Sequence, residues 1–125
     1  MRGSKQDVPA TVDGGGVTIR ETEWGDMNVA LESFPAGLET APIFVGLPDD
    51  RCQCPHWGYV VKGRMTMRFG DREEIFEAGD AFYSPPGHVP VSHEPGTEIV
   101  QFSPSEELRL TAAAIARNME ALQVG

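Results

Sequence analysis

Hydrophobic and polar residues alternate along most of this chain in short runs with a period of two. From Arg64 to Phe69, Met65, Met67 and Phe69 fall on one side, and Arg64, Thr66 and Arg68 on the other. That is the pattern of a strand with one buried face. Val17, Ile19 and Glu21 alternate with Thr18, Arg20 and Thr22, and Met27, Val29, Leu31 and Ser33 share one face of a run that ends at Phe34. Further strands are expected over 42–47 (a short apolar run), 56–61, 73–78, 81–84, 88–92 and 97–102. Glycine and proline separate them, as in Pro35-Ala36-Gly37, Lys62-Gly63, Gly79-Asp80 and Pro85-Pro86-Gly87. Gly70-Asp71 has the form of a two-residue hairpin turn, whose first position needs a positive φ. About nine or ten short strands without an internal repeat predict an all-β fold.

Two segments depart from the alternation. Residues 1–16, with Pro9 and the run Gly14-Gly15-Gly16, predict an irregular arm, draped on the strands or adding one at an edge. Residues 104–123 predict the one helix. Ser103-Pro104-Ser105-Glu106 reads as a capping box with proline at the first helical position. Leu108, Ala112, Ile115, Met119 and Leu122 then form an apolar stripe. That stripe is expected to lie against the outside of the strands, with a subunit contact as the alternative. The strand-rich body is expected over 17–103.

Composition narrows the possible partners. A chain of 125 residues is long enough to bury a core as one domain. Fourteen glycines and ten prolines suit the many turns of a sandwich or barrel. With 19 acidic residues against 10 basic ones, the formal net charge is -9. No basic stripe is available to neutralise phosphates, so neither a nucleic acid nor an anionic membrane surface is an expected partner. No apolar run approaches the roughly 18 residues that span a bilayer. The start of the chain lacks the apolar core of a signal peptide, so a cytoplasmic location is expected. Two cysteines one residue apart do not make a secreted disulfide framework.

Chemistry concentrates between Asp49 and Gly63, a stretch with both cysteines and one of the three histidines. Cys52, Cys54 and His56 are spaced by two, so an extended strand would point them to one face. A straight strand separates Cys52 from His56 by about 13 Å, too far for one ion. A bend at Pro55, which cannot donate to a sheet ladder, would close that distance. Free thiols, or a reversible Cys52–Cys54 disulfide, are the alternative reading of the cysteines.

The sequence resembles the cupins, small jelly-roll barrels with two motifs. The second motif reads glycine, five residues, proline, one residue, glycine, two residues, histidine. Gly79-Asp80-Ala81-Phe82-Tyr83-Ser84-Pro85-Pro86-Gly87 matches up to the histidine, whose slot holds Pro90, with His88 of the same strand parity beside it. Counting back from Gly63, the glutamate slot of the first motif holds His56, and its two histidine slots hold Cys52 and Asp50. The resemblance runs over roughly residues 28 to 103 and implies a jelly-roll barrel with a metal site inside it.

With Cys52, Cys54, His56 and His88 as ligands, two thiolates and two imidazoles favour a single divalent ion, zinc first and iron(II) second. Four ligands would close the site as structural, and three would leave a position open for water or substrate. Gly58 and Val60 share the phase of His56, and with Met65 and Phe102 they are the candidate lining of a small-molecule site. Met67, Phe69 and Phe82 are read as core or lining, and His93, of opposite parity to His88, as facing solvent. Three functions follow: a metal-dependent enzyme acting on a small molecule, a non-catalytic metal or redox sensor, and a metal-free ligand-binding barrel. Trp57, Tyr59 and Val61, opposite in phase to His56, imply a second buried surface, covered either by the C-terminal helix or by a symmetric partner, and a homodimer is expected.

Overall fold

The computed structural model describes residues 1–36, 44, 46–48 and 51–124, with the backbone only at 119 and 122–124. Among the described residues, nine strands precede one helix. They are β1 (Ala10–Gly14), β2 (Val17–Trp24), β3 (Met27–Phe34), β4 (His56–Lys62) and β5 (Arg64–Phe69). β6 (Arg72–Glu77), β7 (Ala81–Ser84), β8 (His88–His93), β9 (Thr97–Pro104) and α1 (Ser105–Val124) follow. Half of the strand expected over 42–47 (residues 42, 43 and 45), together with Asp49 and Asp50, lies outside the described residues. The arm supplies an edge strand, because Ala10–Gly14 pairs with β2.

All pairing is antiparallel, in a six-stranded sheet of order β1-β2-β3-β9-β4-β7 and a three-stranded sheet of order β6-β5-β8. This is a jelly-roll barrel of two facing sheets, in which successive strands from β6 to β9 lie in alternate sheets. Val60, Met65, Met67, Phe76, Phe82 and Ile99 fill the space between the sheets, with Phe34 and Phe69 against them. Each such side chain contributes about 1.5–3 kcal/mol by leaving water. The Phe76 and Phe82 rings stack at 4.8 Å.

Register shifts between paired strands alter the side-chain phases, one of them between Ala10 and Val12 at the edge strand β1. β5 and β8 pair Thr66 with Ser92 but Met67 with Pro90, so Val91 is an extra residue on β8. One extra residue reverses side-chain parity beyond it. His93 therefore points inward with His88, where simple counting faced it to solvent. It is buried and stacks on Phe34 at 4.6 Å. A similar shift on β4 falls between Val60 and Lys62.

The helix begins at Ser105, with its first amide bonded to the Asp26 carbonyl at 2.9 Å. Ser103 is not its cap. Pairing with Asn28 keeps Ser103 inside β9, and its hydroxyl is taken by His56 at 2.6 Å. The covered side of α1 also differs from the expected stripe. Thr111 and Ala114 are buried, Leu108 and Ile115 pack on Phe44, Cys52 and Cys54, and Ala112 is exposed. The helix thus closes one end of its own barrel, directly over the cysteines.

Polar side chains occupy the inward face of β2, β3 and β9. Glu21 accepts from Asn28 Nδ2 at 3.0 Å and Thr11 Oγ1 at 2.9 Å, and Glu32 accepts from Gln101 Nε2 at 2.5 Å. Burial, reinforced by the Glu21 charge and opposed by the Gln101 hydrogen bond, lifts the Glu32 carboxyl from 4.5 to about 7. Between those values the folded chain keeps a proton that the unfolded chain has lost. The stabilisation is therefore complete below about pH 4.5 and disappears as pH rises through about 7. In thermal melts from about pH 5 to 8, wild type should lose stability relative to Glu32→Gln. Parallel curves would refute the assignment.

At the β4–β5 turn, Gly63 has φ of 84°. A Cβ there would lie 2.5 Å from Thr97 Oγ1 and 2.7 Å from Thr97 Cα. Thr97 cannot move aside, since it is fully buried and its hydroxyl donates to the Glu94 carbonyl at 2.7 Å while accepting from the Arg64 amide at 3.2 Å. Positive φ and overpacking together should make Gly63→Ala cost about 2–4 kcal/mol in urea unfolding. A loss of about 0.5 kcal/mol or less would show that the turn adapts.

Candidate metal centre

Cys52 is not part of a strand that continues into β4. It forms an isolated antiparallel bridge with His88, its amide donating to the His88 carbonyl at 3.1 Å and its carbonyl accepting from the Gly87 amide at 2.8 Å. The chain then turns through Gln53, Cys54 and Pro55 before β4 begins at His56. This turn supplies the bend that a common site for Cys52 and His56 requires. Cys52 Sγ lies 3.8 Å from His56 Nε2, and one ligand atom each from Cys52, His56 and His88 falls within 4.8 Å of the others. Tetrahedral zinc holds such atoms about 3.5 Å apart, so a small contraction brings the three to bonding geometry.

The hydrogen bonds outside this group orient both imidazoles. His88 Nδ1 lies 2.7 Å from the Pro85 carbonyl. A carbonyl only accepts, so Nδ1 carries the proton and Nε2 presents a lone pair. His56 Nδ1 meets Ser103 Oγ at 2.6 Å, and donation from that nitrogen leaves Nε2 free beside the Cys52 thiol. The two rings stand at 62° with centroids 4.8 Å apart. Ligand histidines are characteristically fixed by such outer partners.

Burial keeps the group uncharged at neutral pH. Desolvation, then the nearby His88, lowers His56 from 6.5 to about 3, and desolvation also lowers His88 against the Pro85 hydrogen bond. Desolvation raises the Cys52 thiol to about 11. With its folded pKa depressed, the contribution of His56 to stability is complete above about pH 6.5 and is lost as pH falls toward 3, and the lowering of His88 acts in the same sense. Neutral imidazoles are the ligating form, whereas the thiol must lose its proton to bind an ion. The donor set therefore fits a divalent metal, with sulfur and nitrogen favouring zinc or iron(II) over magnesium or calcium.

Cys54 is not one of the three converging groups. Its thiol packs with Phe44 and Cys52 below Leu108 and Ile115, lies 3.5 Å from the Pro55 carbonyl and shares a hydrogen bond with Ser103. Burial raises it to about 12, with additional upward pushes from Cys52 and Glu107. Cys54 thereby joins the chain of contacts that holds His56 through Ser103. Both cysteines are free. Ser103 was legible in the sequence only as a helix cap, and nothing in the spacing linked it to His56, 47 residues away.

The lining residues distribute differently from expectation. Val60 and Met65 are sealed in the core between the sheets. The room beside Gly58 is filled, because a Cβ there would collide with the Phe82 ring and stand 2.6 Å from the Val100 carbonyl. Phe102 pairs with Trp57 across β9 and β4, shares its outward face and is 37% exposed. It points away from the metal group.

A cupin domain model matches residues 52–101, which include Cys52, His56 and His88. An RmlC-like cupin from Shewanella frigidimarina is similar at 19% identity and a TM-score of 0.55, over 82% of this chain and 88% of that one. KdgF from Halomonas sp. is similar at 20% identity and a TM-score of 0.55, over 81% of this chain and 92% of its own. A protein of unknown function from Rhizobium leguminosarum reaches a TM-score of 0.61 at 15% identity, over 82% of this chain and 94% of that one. A search of the curated proteins found no match. At these identities the structures speak for the fold, and the matched segment carries both halves of the candidate site. Residues 52–101 thus match the cupin domain, and the fold of the chain is that of solved cupin structures.

Proposed function

We propose that this chain binds one divalent metal through Cys52, His56 and His88 and acts on a small molecule held beside it. The observation that carries this reading is the convergence of three buried ligand groups, with both imidazoles oriented from behind and Cys54 outside the set. Three protein ligands are the number that leaves a coordination position for a small molecule. Zinc is the first assignment and iron(II) the second, from the sulfur and nitrogen donors. A bound ion supplies Lewis acidity toward an oxygen of that molecule. The residues contribute the rest: Pro85 and Ser103 fix the imidazoles, and Phe44, Leu108 and Ile115 shield the cysteines from water.

Protein purified without added metal should contain about one equivalent of zinc or iron, lost in Cys52→Ser. At pH 7 uptake should release about one proton per ion, from the Cys52 thiol, because the imidazoles are already neutral. Apparent affinity should accordingly rise about tenfold per pH unit between roughly pH 7 and 9. Calorimetry in buffers of different ionisation enthalpy reads the proton count. Absence of metal in both proteins, or uptake without proton release, would overturn the ligand set.

We also propose a homodimer through the outward face of β4, β7 and β9. Cross-strand pairing places Phe102, Trp57 and Tyr83 in one row, with Tyr59 and Val61 further along β4. Trp57 and Tyr83 stack at 5.2 Å, and these five side chains are between 37% and 57% exposed. The N-terminal arm lies on the neighbouring part of the sheet, where Lys5 pairs with Glu98 at 2.7 Å and Arg20 donates to the Val8 carbonyl at 3.0 Å. A two-fold contact sets the same patch against itself. In a chain of net charge -9, an uncharged row is the part that can meet its copy without repulsion. Light scattering should give twice the 13.6 kDa chain mass, and Tyr59→Glu should give the single mass. A wild-type monomer would reject the contact.

A further inference from the structure

One polar group beside the metal ligands has no partner among the described residues. Ser84 is fully buried, and its Oγ makes no hydrogen bond. An unpaired buried hydroxyl is destabilising unless something else satisfies it. Its position is specific. Ser84 ends β7 and is the cross-strand partner of His56, so both side chains leave the same face of the sheet with Cβ atoms about 4.5–5.5 Å apart. The next residue, Pro85, holds His88 Nδ1 through its carbonyl. The hydroxyl is thus flanked by the strand that presents one imidazole and the turn that orients the other. The other inward residue of β7, Phe82, belongs to the apolar core.

We infer that Ser84 is a ligand-binding residue, whose hydroxyl hydrogen-bonds an oxygen of a small carboxylate or carbonyl compound held beside Cys52, His56 and His88. The inference rests on the metal-centre reading and adds to it a residue and a ligand chemistry. A hydroxyl donates one hydrogen and accepts through two lone pairs, so it serves a carboxylate or carbonyl oxygen as donor. It is not a metal ligand in this assignment. Its loss leaves the three ligands and their outer partners Pro85 and Ser103 in place.

The test uses the full chain loaded with cobalt(II), whose visible spectrum reports the ligands around it, and formate as the probe. Wild type and Ser84→Ala should take up cobalt with the same stoichiometry. Formate should shift the spectrum of both, with about tenfold weaker binding by Ser84→Ala, the equivalent of one hydrogen bond. Ser84→Thr keeps the hydroxyl and should stay within about threefold of wild type. In the metal-free proteins, Ser84→Ala should melt at the same temperature as wild type or higher, because removing an unpaired buried hydroxyl relieves a cost. Equal formate affinities, or no spectral response of wild type to formate, would overturn the assignment. So would a lower melting temperature for metal-free Ser84→Ala, which would mark the hydroxyl as structural. Failure of wild type to bind cobalt at all would instead overturn the metal centre on which the inference stands.

Discussion

The two hydrogen bonds between the Cys52 backbone and the Gly87–His88 backbone are the contact on which the centre depends. Before them, Cys52 and His56 are four residues apart on a chain whose strand would spread them about 13 Å. With them, Cys52 is held to β8 of the small sheet while His56 opens β4 of the large one. Gln53, Cys54 and Pro55 make the step between sheets. Because both bonds are main-chain, the side chains of Cys52 and His88 remain available to each other and to His56. The same step carries Cys54 under the helix, where Leu108 and Ile115 cover it.

Electrostatics follow from that geometry. A site drawn between two sheets and roofed by a helix is dry, so every titratable member is pushed toward its neutral form. The imidazoles fall and the thiols rise. Neutral imidazoles are ready ligands, but a protonated thiol is not, which makes Cys52 the member whose state an ion must change. Ser103 lies at the centre of this arrangement, against His56 on one side and Cys54 on the other. The second cysteine thus supports the first histidine.

Away from the centre, the barrel divides its apolar surface in two. The inward faces of β4, β5, β6, β7 and β9 meet in a sealed core, and the outward face of β4, β7 and β9 keeps an aromatic row in reach of solvent. Gly58 separates these functions sharply. Its missing side chain admits the Phe82 ring, so the interior at that level is packing and not a cavity.

Local pattern was enough for the strands. Met27–Phe34, Arg64–Phe69 and Ala81–Ser84 were legible to the residue, because period-two alternation and turn glycines are properties of short stretches of chain. The cupin motif glycines also carried the fold, and counting from them brought His56, Cys52 and His88 into view. Counting failed where pairing between distant strands intervenes. His93 faces inward because of a bulge at Val91 opposite β5, and no feature of 88–93 alone records that extra residue. Ser103 reads locally as a helix cap, yet its hydroxyl is claimed by His56 across the sheet. Phe102 takes its outward face from its register with Trp57. The sequence by itself determined the strands, the turns and the ligand types. Only tertiary structure decided which of those groups meet, since that depends on register and on the crossing from one sheet to the other, both set by contacts far apart along the chain.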